Sequence, residues 1–141
     1  MKINLKRVNQ DYLFEAQNDN GHKVLLDNKS KKIGEVQGVS PMELLLIGLA
    51  GCSSIDIIAI LNKQKIEPTD LQMEVEGMRE PHQIPSLFQT IKVNVMMDGD
   101  IPPEKAKRAL SLSFDKYCSV AKTLEYSATI KYAIVLNGEK L

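Results

Sequence analysis

Residues 40–61 read SPMELLLIGLAGCSSIDIIAIL, and beyond the first turn this segment is apolar on almost every face. Ser40 is a favourable N-cap, Pro41 suits the first helical position, and Glu43 completes an S-x-x-E capping box. These signals predict a helix that runs to about Asn62. A helix that is apolar all round is expected to be buried on every side.

Small residues lie at the middle of this helix, among them Gly48, Ala50 and Gly51. They remove side-chain bulk and so permit the close approach of another backbone. Because one small domain has difficulty covering such a helix on all faces, the pattern predicts a second subunit, and hence a homodimer. The apolar run from Leu44 to Ile55 is too short to span a bilayer, so no membrane association is expected.

The segments around the helix alternate with the period of two that is typical of strands. Strands are predicted at residues 2–8, 11–19, 22–27, 71–76, 90–95 and 126–134. Asn20-Gly21 can supply both positive-φ residues of a type I′ turn, and a polar loop is predicted at residues 28–39. Pro102-Pro103 is expected to open a second helix, with another short helical stretch at Cys118. This order predicts one α+β domain, residues 1–141, with a mostly antiparallel sheet.

The composition narrows the functional classes. The 141 residues include 18 basic and 18 acidic side chains, so zero formal net charge offers no electrostatic reason to bind nucleic acid or an anionic membrane. Two cysteines are too few for a disulfide scaffold, and neither a C-x-x-C pair nor another metal-ligand spacing is found. No signal peptide is visible, so a reducing cytoplasm is the expected compartment.

The two cysteines, Cys52 in AGCSSID and Cys118 in DKYCSVAK, have two interpretations. Each alone is most simply a small buried residue. Lys116 and a nearby helix N-terminus would lower the pKa of the Cys118 thiol. As a pair, the cysteines could serve as a peroxidatic thiolate and a resolving thiol, provided that the fold brings them close enough to condense.

Three charged residues are further candidates. Glu43 lies nine residues before Cys52, about 13–14 Å along the helix and on nearly the opposite face, so it can reach only the Cys52 of a second, antiparallel copy. Arg79 continues the inward phase of its strand, which leaves two alternatives: a bulge at Gly77 that shifts the phase and turns Met78 inward, or a polar pocket that receives the guanidinium. Asp56, one turn after Cys52, is the weakest candidate.

Three stretches together resemble the OsmC/Ohr family of osmotically inducible and organic-hydroperoxide-resistance proteins. They are SPMELLLIGLAGCSSIDIIAIL, PSLFQTIKV and ALSLSFDKYCSVAKTLE. The resemblance covers essentially the whole chain and is closest to an OsmC-like subgroup with SPME…GCSSID and DKYCSVA motifs. It implies an intertwined α+β homodimer, with long central helices packed across the two-fold axis and active sites at the subunit interface.

The resemblance also implies a thiol peroxidase that acts on organic hydroperoxides. Cys52 matches the peroxidatic position and Cys118 the resolving one, and an external dithiol would restore both without a metal or organic cofactor. Family members carry an acid directly after the helix proline, where this chain has Met42, and an activating arginine before the helix, whereas this chain has no arginine between residues 8 and 78. Glu43 and Arg79 are the substitutes that this sequence offers.

Two functions remain open at this point. Retention of both cysteines favours a cysteine-based hydroperoxide reductase, a stress and detoxification protein whose substrate is a small apolar hydroperoxide. The missing acid and arginine favour a binding protein of the same fold, which holds a lipid-like or other small ligand and has little peroxidase activity. A Cys-His hydrolase is a distant third, because neither His22 nor His82 has a structural reason to lie near a cysteine.

Overall fold

The computed structural model describes residues 1–30 and 34–141, so residues 31–33 of the predicted 28–39 loop lie outside the description. The described residues of that loop belong to no helix or strand, as predicted. The chain forms two compact units, Met1–Leu45 and Leu46–Leu141.

The first unit is built on a three-stranded antiparallel sheet. Its strands are hydrogen-bonded in chain order: β1 (Ile3–Arg7), β2 (Phe14–Asn18) and β3 (Lys23–Leu26). The β2–β3 turn is not the predicted type I′ turn, because Gly21 has a positive φ of 86° and Asn20 does not. The side-chain oxygen of Asn18 accepts from the N–H groups of Asn20 and His22, and the Gly21 N–H bonds to the Asn18 carbonyl. This asparagine therefore holds a longer turn that needs only one glycine.

Helix α1 (Pro41–Asn62) begins and ends where the sequence predicts. The capping box is formed in both directions: the Ser40 N–H donates to the Glu43 carboxylate at 2.7 Å, and the Glu43 N–H donates to the Ser40 hydroxyl at 3.2 Å. The bond from the Ser40 backbone stabilises the carboxylate and so lowers the pKa of Glu43. Glu43 therefore has a structural role at the start of the helix.

Opposite faces of α1 differ in burial within the second unit. The buried residues lie four apart along one stripe: Leu49, Ser53, Ile57 and Leu61. On the other side lie four exposed residues, all apolar or glycine, which we call the exposed stripe: Ile47, Gly51, Ile55 and Ala59. Ile55 alone is 70% exposed. The expected burial on every side is therefore not reached within a single chain.

By length and composition α1 is also able to cross a membrane. It has 22 residues, and 22% of its most apolar window is buried within the chain. The run from Leu44 to Ile55 is too short to span a bilayer, as the sequence indicates, but the whole helix is long enough, so length alone does not separate the two cases. Core helices pass the same test, and the carboxylate of Asp56 at mid-helix would be costly in hydrocarbon, which favours protein over lipid as the cover.

The second unit contains a four-stranded sheet. Its strands are adjacent in the order β4 (Asp70–Arg79), β5 (Phe88–Asp98), β6 (Thr129–Leu136) and β7 (Glu139–Lys140). The β4–β5 and β6–β7 pairs are antiparallel, whereas β5 and β6 are parallel. The parallel pair is joined by a crossover that contains α2 (Pro103–Leu112) and α3 (Ser119–Leu124). The predicted α+β class is confirmed; the parallel pair and β7 were not predicted.

Candidate functional site

Cys52 and Cys118 lie next to each other in the second unit. Cys52 belongs to α1, Cys118 is the N-cap of α3, and both thiols are free. Their sulfur atoms lie within 4.8 Å of each other, and a carboxylate oxygen of Asp56 lies within the same distance of both. Since a disulfide needs sulfurs about 2.05 Å apart, a modest rotation of the two side chains would join them.

A π-helical turn at Ser113–Tyr117 positions Cys118. The turn follows α2 directly, and the Cys118 N–H donates to the Ser113 carbonyl at 2.8 Å. Such turns insert an extra residue into a helix and occur frequently at functional sites. The Ser113 hydroxyl donates to the Ser53 carbonyl at 3.4 Å, and both serines are fully buried. This bond therefore connects the π-helical turn to α1 at Ser53, the residue that follows Cys52.

The Cys118 thiol is fully buried and hydrogen-bonded. It donates to the Ser53 hydroxyl at 3.9 Å and accepts from the Ala121 N–H at 3.4 Å. Burial, the largest effect, raises the pKa of Cys118 to about 11; the Ala121 N–H opposes this rise, and the neighbouring Cys52 adds to it. Cys118 is therefore a protonated thiol at neutral pH.

Of the two electropositive groups predicted beside Cys118, the helix N-terminus is present and Lys116 is not. The Lys116 ammonium lies over the Tyr117 ring, 5.2 Å from its centroid. The N–H of Ala121 does stabilise the thiolate, but burial destabilises it more. The helix N-terminus expected at Cys118 is therefore present and acts in the expected direction, but the expected net lowering of the pKa is wrong, because burial outweighs it and Lys116 does not contribute.

Asp56 is the third member of this site. It follows the half-buried Cys52 by one helical turn, which places both side chains on the same side of α1. Its Oδ2 atom is buried and has no hydrogen-bond partner among the described residues. A buried polar atom in this state costs free energy. Sequence reasoning ranked Asp56 low, because the four-residue spacing from Cys52 was the only signal for it.

The two other candidates make local hydrogen bonds instead. Glu43 is exposed and caps α1 through Ser40. Arg79 is exposed too, and its Nε donates to the Ser86 carbonyl at 2.9 Å in the β4–β5 loop. A role for either residue in activating Cys52 stays a prediction.

The strand bulge that was one explanation for Arg79 is present. The register of β4 against β5 shifts between Met78 and Arg79, one residue later than predicted. The Phe88 ring lies directly against Gly77, where it leaves no room for a Cβ. A bulge is therefore present, but its extra residue is Gln89 of β5, and Met78 is 39% exposed instead of turned inward as predicted. The inward pocket for the Arg79 guanidinium is wrong, because this side chain is exposed and bonds to the Ser86 carbonyl.

The chain is similar in sequence and in structure to known proteins. The family model described as OsmC-like protein matches residues 34–133. Protein YhfA of Escherichia coli K12 is 34% identical over 121 residues, which cover 85% of this chain and 87% of that protein.

Two solved structures illustrate the likeness in fold. A hypothetical protein from Aquifex aeolicus VF5 has a TM-score of 0.84 and 25% identity, with 96% of this chain and 95% of that chain covered. The organic hydroperoxide resistance protein OhrB of Bacillus subtilis has a TM-score of 0.66 and 18% identity, with 95% and 96% covered. At 18% identity, the similarity to OhrB establishes a shared fold and nothing about function.

Proposed function

Since the chain belongs to the OsmC-like protein family, we propose that it is a thiol-dependent peroxidase that reduces organic hydroperoxides. The observation that carries the proposal is the pair of free cysteines whose sulfurs lie within 4.8 Å of each other. A protein named for organic hydroperoxide resistance shares the fold, and the cysteine pair is what extends the comparison from fold to chemistry in this proposal.

Cys52 is the attacking residue in this proposal. The Cys52 thiol ionises, and its thiolate attacks the peroxide oxygen that carries the hydrogen. The O–O bond breaks, Cys52 becomes a sulfenic acid, and the alkoxide takes up the proton released by the thiol and leaves as the alcohol. The Cys118 thiol then attacks the Cys52 sulfur; the S–S bond forms, and the hydroxyl leaves as water with the thiol proton. An external dithiol restores both thiols by disulfide exchange, and we expect this to occur in a reducing cytoplasm.

The environments of the two thiols support this division of roles. Cys52 is half-buried, which leaves it within reach of a peroxide, whereas Cys118 is fully buried. The raised pKa of Cys118 keeps this residue as a poorly nucleophilic thiol until a sulfenic acid forms beside it. Cys118 therefore suits the resolving step better than the first attack.

The exposed stripe of α1 supports a homodimer as the working form. Its apolar side chains, Ile47 and Ile55 above all, are 51% and 70% exposed, and Gly51 between them has open space around it. A second copy of α1 crossing at Gly51 would bury this stripe and bring two backbones close together. Apolar surface at this interface would also favour organic hydroperoxides over hydrogen peroxide.

Thiol counting after a defined oxidation tests the proposal. One equivalent of cumene hydroperoxide per chain is expected to consume both thiols, and non-reducing peptide mapping is expected to recover a Cys52–Cys118 disulfide. Both thiols remaining free after minutes with excess cumene hydroperoxide would contradict it.

The two single variants are the matched controls. Cys118→Ser is expected to react once with the peroxide and then to accumulate sulfenic or sulfinic acid, because no second thiol is present to trap the product. Cys52→Ser is expected to be inert, since Cys118 is proposed not to attack the peroxide. Equal rates in both variants would contradict the assigned roles.

An apolar cavity in the first unit favours a second candidate function, a binding protein for a small lipid-like ligand. The cavity has a volume of about 240 Å³ and is lined in part by Leu5, Tyr12, Phe14 and Leu26. A fluorescent fatty acid tests this alternative: saturable binding that Leu26→Asp abolishes would support it. Such binding together with peroxide-inert thiols would replace the peroxidase proposal.

A further inference from the structure

The Cys52 site contains a group that the peroxidase chemistry does not use. Asp56 lies within 4.8 Å of both sulfurs, and its buried Oδ2 has no hydrogen-bond partner in the described part of the chain. Two thiols can form a disulfide without a carboxylate. The cost of burying this oxygen therefore calls for a ligand that it can bind.

We propose that the reduced cluster of Cys52, Asp56 and Cys118 is a binding site for a thiophilic divalent cation, Zn²⁺ in the first instance. Two thiolates and one carboxylate are a ligand set that Zn²⁺ accepts, with a water molecule as the fourth ligand. Hard cations such as Mg²⁺ and Ca²⁺ prefer sets made of oxygen alone. The sulfur ligands therefore select against them.

The three ligand atoms are close enough together to share one cation. Zn–S bonds of about 2.3 Å and a Zn–O bond of about 2.0 Å require ligand atoms about 3.5–3.8 Å apart. The three ligand atoms lie within 4.8 Å of one another, so small side-chain rotations bring them into range. Cys52 and Asp56 are held at a helical i,i+4 spacing, and the buried bonds of Cys118 to Ser53 and Ala121 hold the third ligand beside them.

Oxidation removes two of the three ligands, which makes this site specific for the reduced protein. A Cys52–Cys118 disulfide has no thiolate to offer, so forming it releases the cation. A bound cation in turn occupies Cys52 and blocks its attack on a peroxide. Cation binding does not depend on the proposed peroxidase function; only the effect on peroxide reduction rests on it.

Zinc titration of the full-length reduced protein tests the site without any peroxide. Competition with a chromophoric chelator is expected to show one Zn²⁺ per chain. Treatment with diamide, which takes two electrons and two protons from the thiol pair, is expected to abolish binding. Titration with Cd²⁺ is expected to produce a thiolate-to-metal charge-transfer band in the wild-type protein, which reports cysteine ligation even if no variant folds.

Variants then locate the ligands. Asp56→Asn keeps the side-chain shape and both thiols, and it is expected to weaken Zn²⁺ binding about tenfold or more. Asp70→Asn, at an exposed carboxylate on β4, is the matched control and is expected to bind as the wild type does. Circular dichroism checks that each variant is folded.

Three results would overturn the inference: no stoichiometric binding by the reduced protein, no charge-transfer band with Cd²⁺, or binding that survives diamide and Asp56→Asn unchanged. These results are independent of the peroxide assay, which is run with a chelator present. The zinc titration and the peroxide assay therefore distinguish a peroxidase that binds no zinc from a zinc-binding protein whose thiols do not react with peroxide.

Discussion

The Cys118 thiol donates a hydrogen bond to the Ser53 hydroxyl, with 3.9 Å between sulfur and oxygen, and Ser53 in turn donates to the Leu49 carbonyl. Both Ser53 and Cys118 are fully buried. Ser53 directly follows Cys52, so this bond ties the proposed resolving thiol to the part of α1 that carries the attacking one. The distance between the two sulfurs thus depends on the bond between Cys118 and Ser53, and not only on contact between the two cysteines.

Ser53→Ala is expected to slow disulfide closure several-fold while the first oxidation of Cys52 keeps its rate. Two buried hydrogen bonds are lost, from the Ser53 hydroxyl to the Leu49 carbonyl and from the Cys118 thiol to Ser53, and the free energy of unfolding is expected to fall by about 1–3 kcal/mol. Rapid-mixing measurements of thiol loss after a single addition of cumene hydroperoxide separate the two steps. Ser54→Ala is the neighbouring control, and closure at the wild-type rate in Ser53→Ala would refute the tethering role.

Arg79→Lys is expected to leave the pH profile of Cys52 alkylation unchanged. The Arg79 guanidinium bonds to the Ser86 carbonyl in its own loop, and a lysine would lose that bond without altering the thiol site. The measurement is the rate of iodoacetamide labelling of Cys52 across a range of pH in Cys118→Ser, with and without the Arg79 change. A shifted profile would return Arg79 to the mechanism.

Glu43→Gln separates the capping role of this residue from a catalytic one. Glutamine completes a capping box as glutamate does, so helix α1 is expected to form normally. The pKa of Glu43 is lowered in the folded chain, so its contribution to stability is present above the unfolded pKa of about 4.5 and is lost as the pH falls through the folded value.

The variant is therefore expected to lose this part of the acid-side dependence in urea unfolding below about pH 4.5. Its rate with cumene hydroperoxide is expected to match the wild type, and Glu43→Ala, which removes the cap, is the comparison. A large loss of rate in a stable Glu43→Gln protein would instead support Glu43 of the partner subunit as an activating residue.

Tyr132→Phe is expected to remove part of the alkaline destabilisation of the second unit. Burial and the hydrogen bond from the Tyr132 hydroxyl to Asp115, 3.0 Å long, raise the pKa of Tyr132 to about 12, against an ordinary value of 10. The folded state keeps this proton to higher pH than the unfolded chain, so the stability that it contributes is full below pH 10 and is lost between pH 10 and about 12.

Urea unfolding on both sides of pH 10 measures this difference between the wild type and Tyr132→Phe. Phenylalanine preserves the stacking on Phe114, where the ring centroids are 4.7 Å apart. An identical fall in stability in both proteins would show that Tyr132 does not contribute to it.

Gly51→Leu is expected to abolish the proposed dimer without disturbing the chain itself. A Cβ at Gly51 meets no atom of the described chain within 4 Å, so the leucine has room in one copy but would force two crossing helices apart. Sedimentation velocity is expected to show monomers or aggregates. Arg108→Leu, which adds an exposed leucine on α2, is the control; a wild-type dimer in Gly51→Leu would place the interface elsewhere.

Local signals were sufficient for most of the secondary structure. The capping box at Ser40, the proline at its first position and the apolar run predicted α1 to its final residue, because each acts within one or two turns. Alternating residues likewise predicted the principal strands. The motifs around Cys52 and Cys118 predicted the family, which the match over residues 34–133 confirms.

Contacts between segments that are distant in the chain could not be predicted from these local signals. The parallel pairing of β5 with β6 depends on how the α2–α3 crossover packs. The bulge beside Arg79 is likewise a property of two strands, because its extra residue, Gln89, lies in β5. The raised pKa of Cys118 follows from burial, which outweighs the local N–H that the sequence suggested.

The cluster of Cys52, Asp56 and Cys118 shows the same limit at the site itself. The four-residue spacing within α1 is visible in the sequence, but the third member arrives from the N-cap of α3, after the β4–β5 hairpin and α2. A sequence pattern records which residues share a helix face. The distance between two sulfurs on different helices is set by packing, through the bonds that join Ser113 and Cys118 to Ser53.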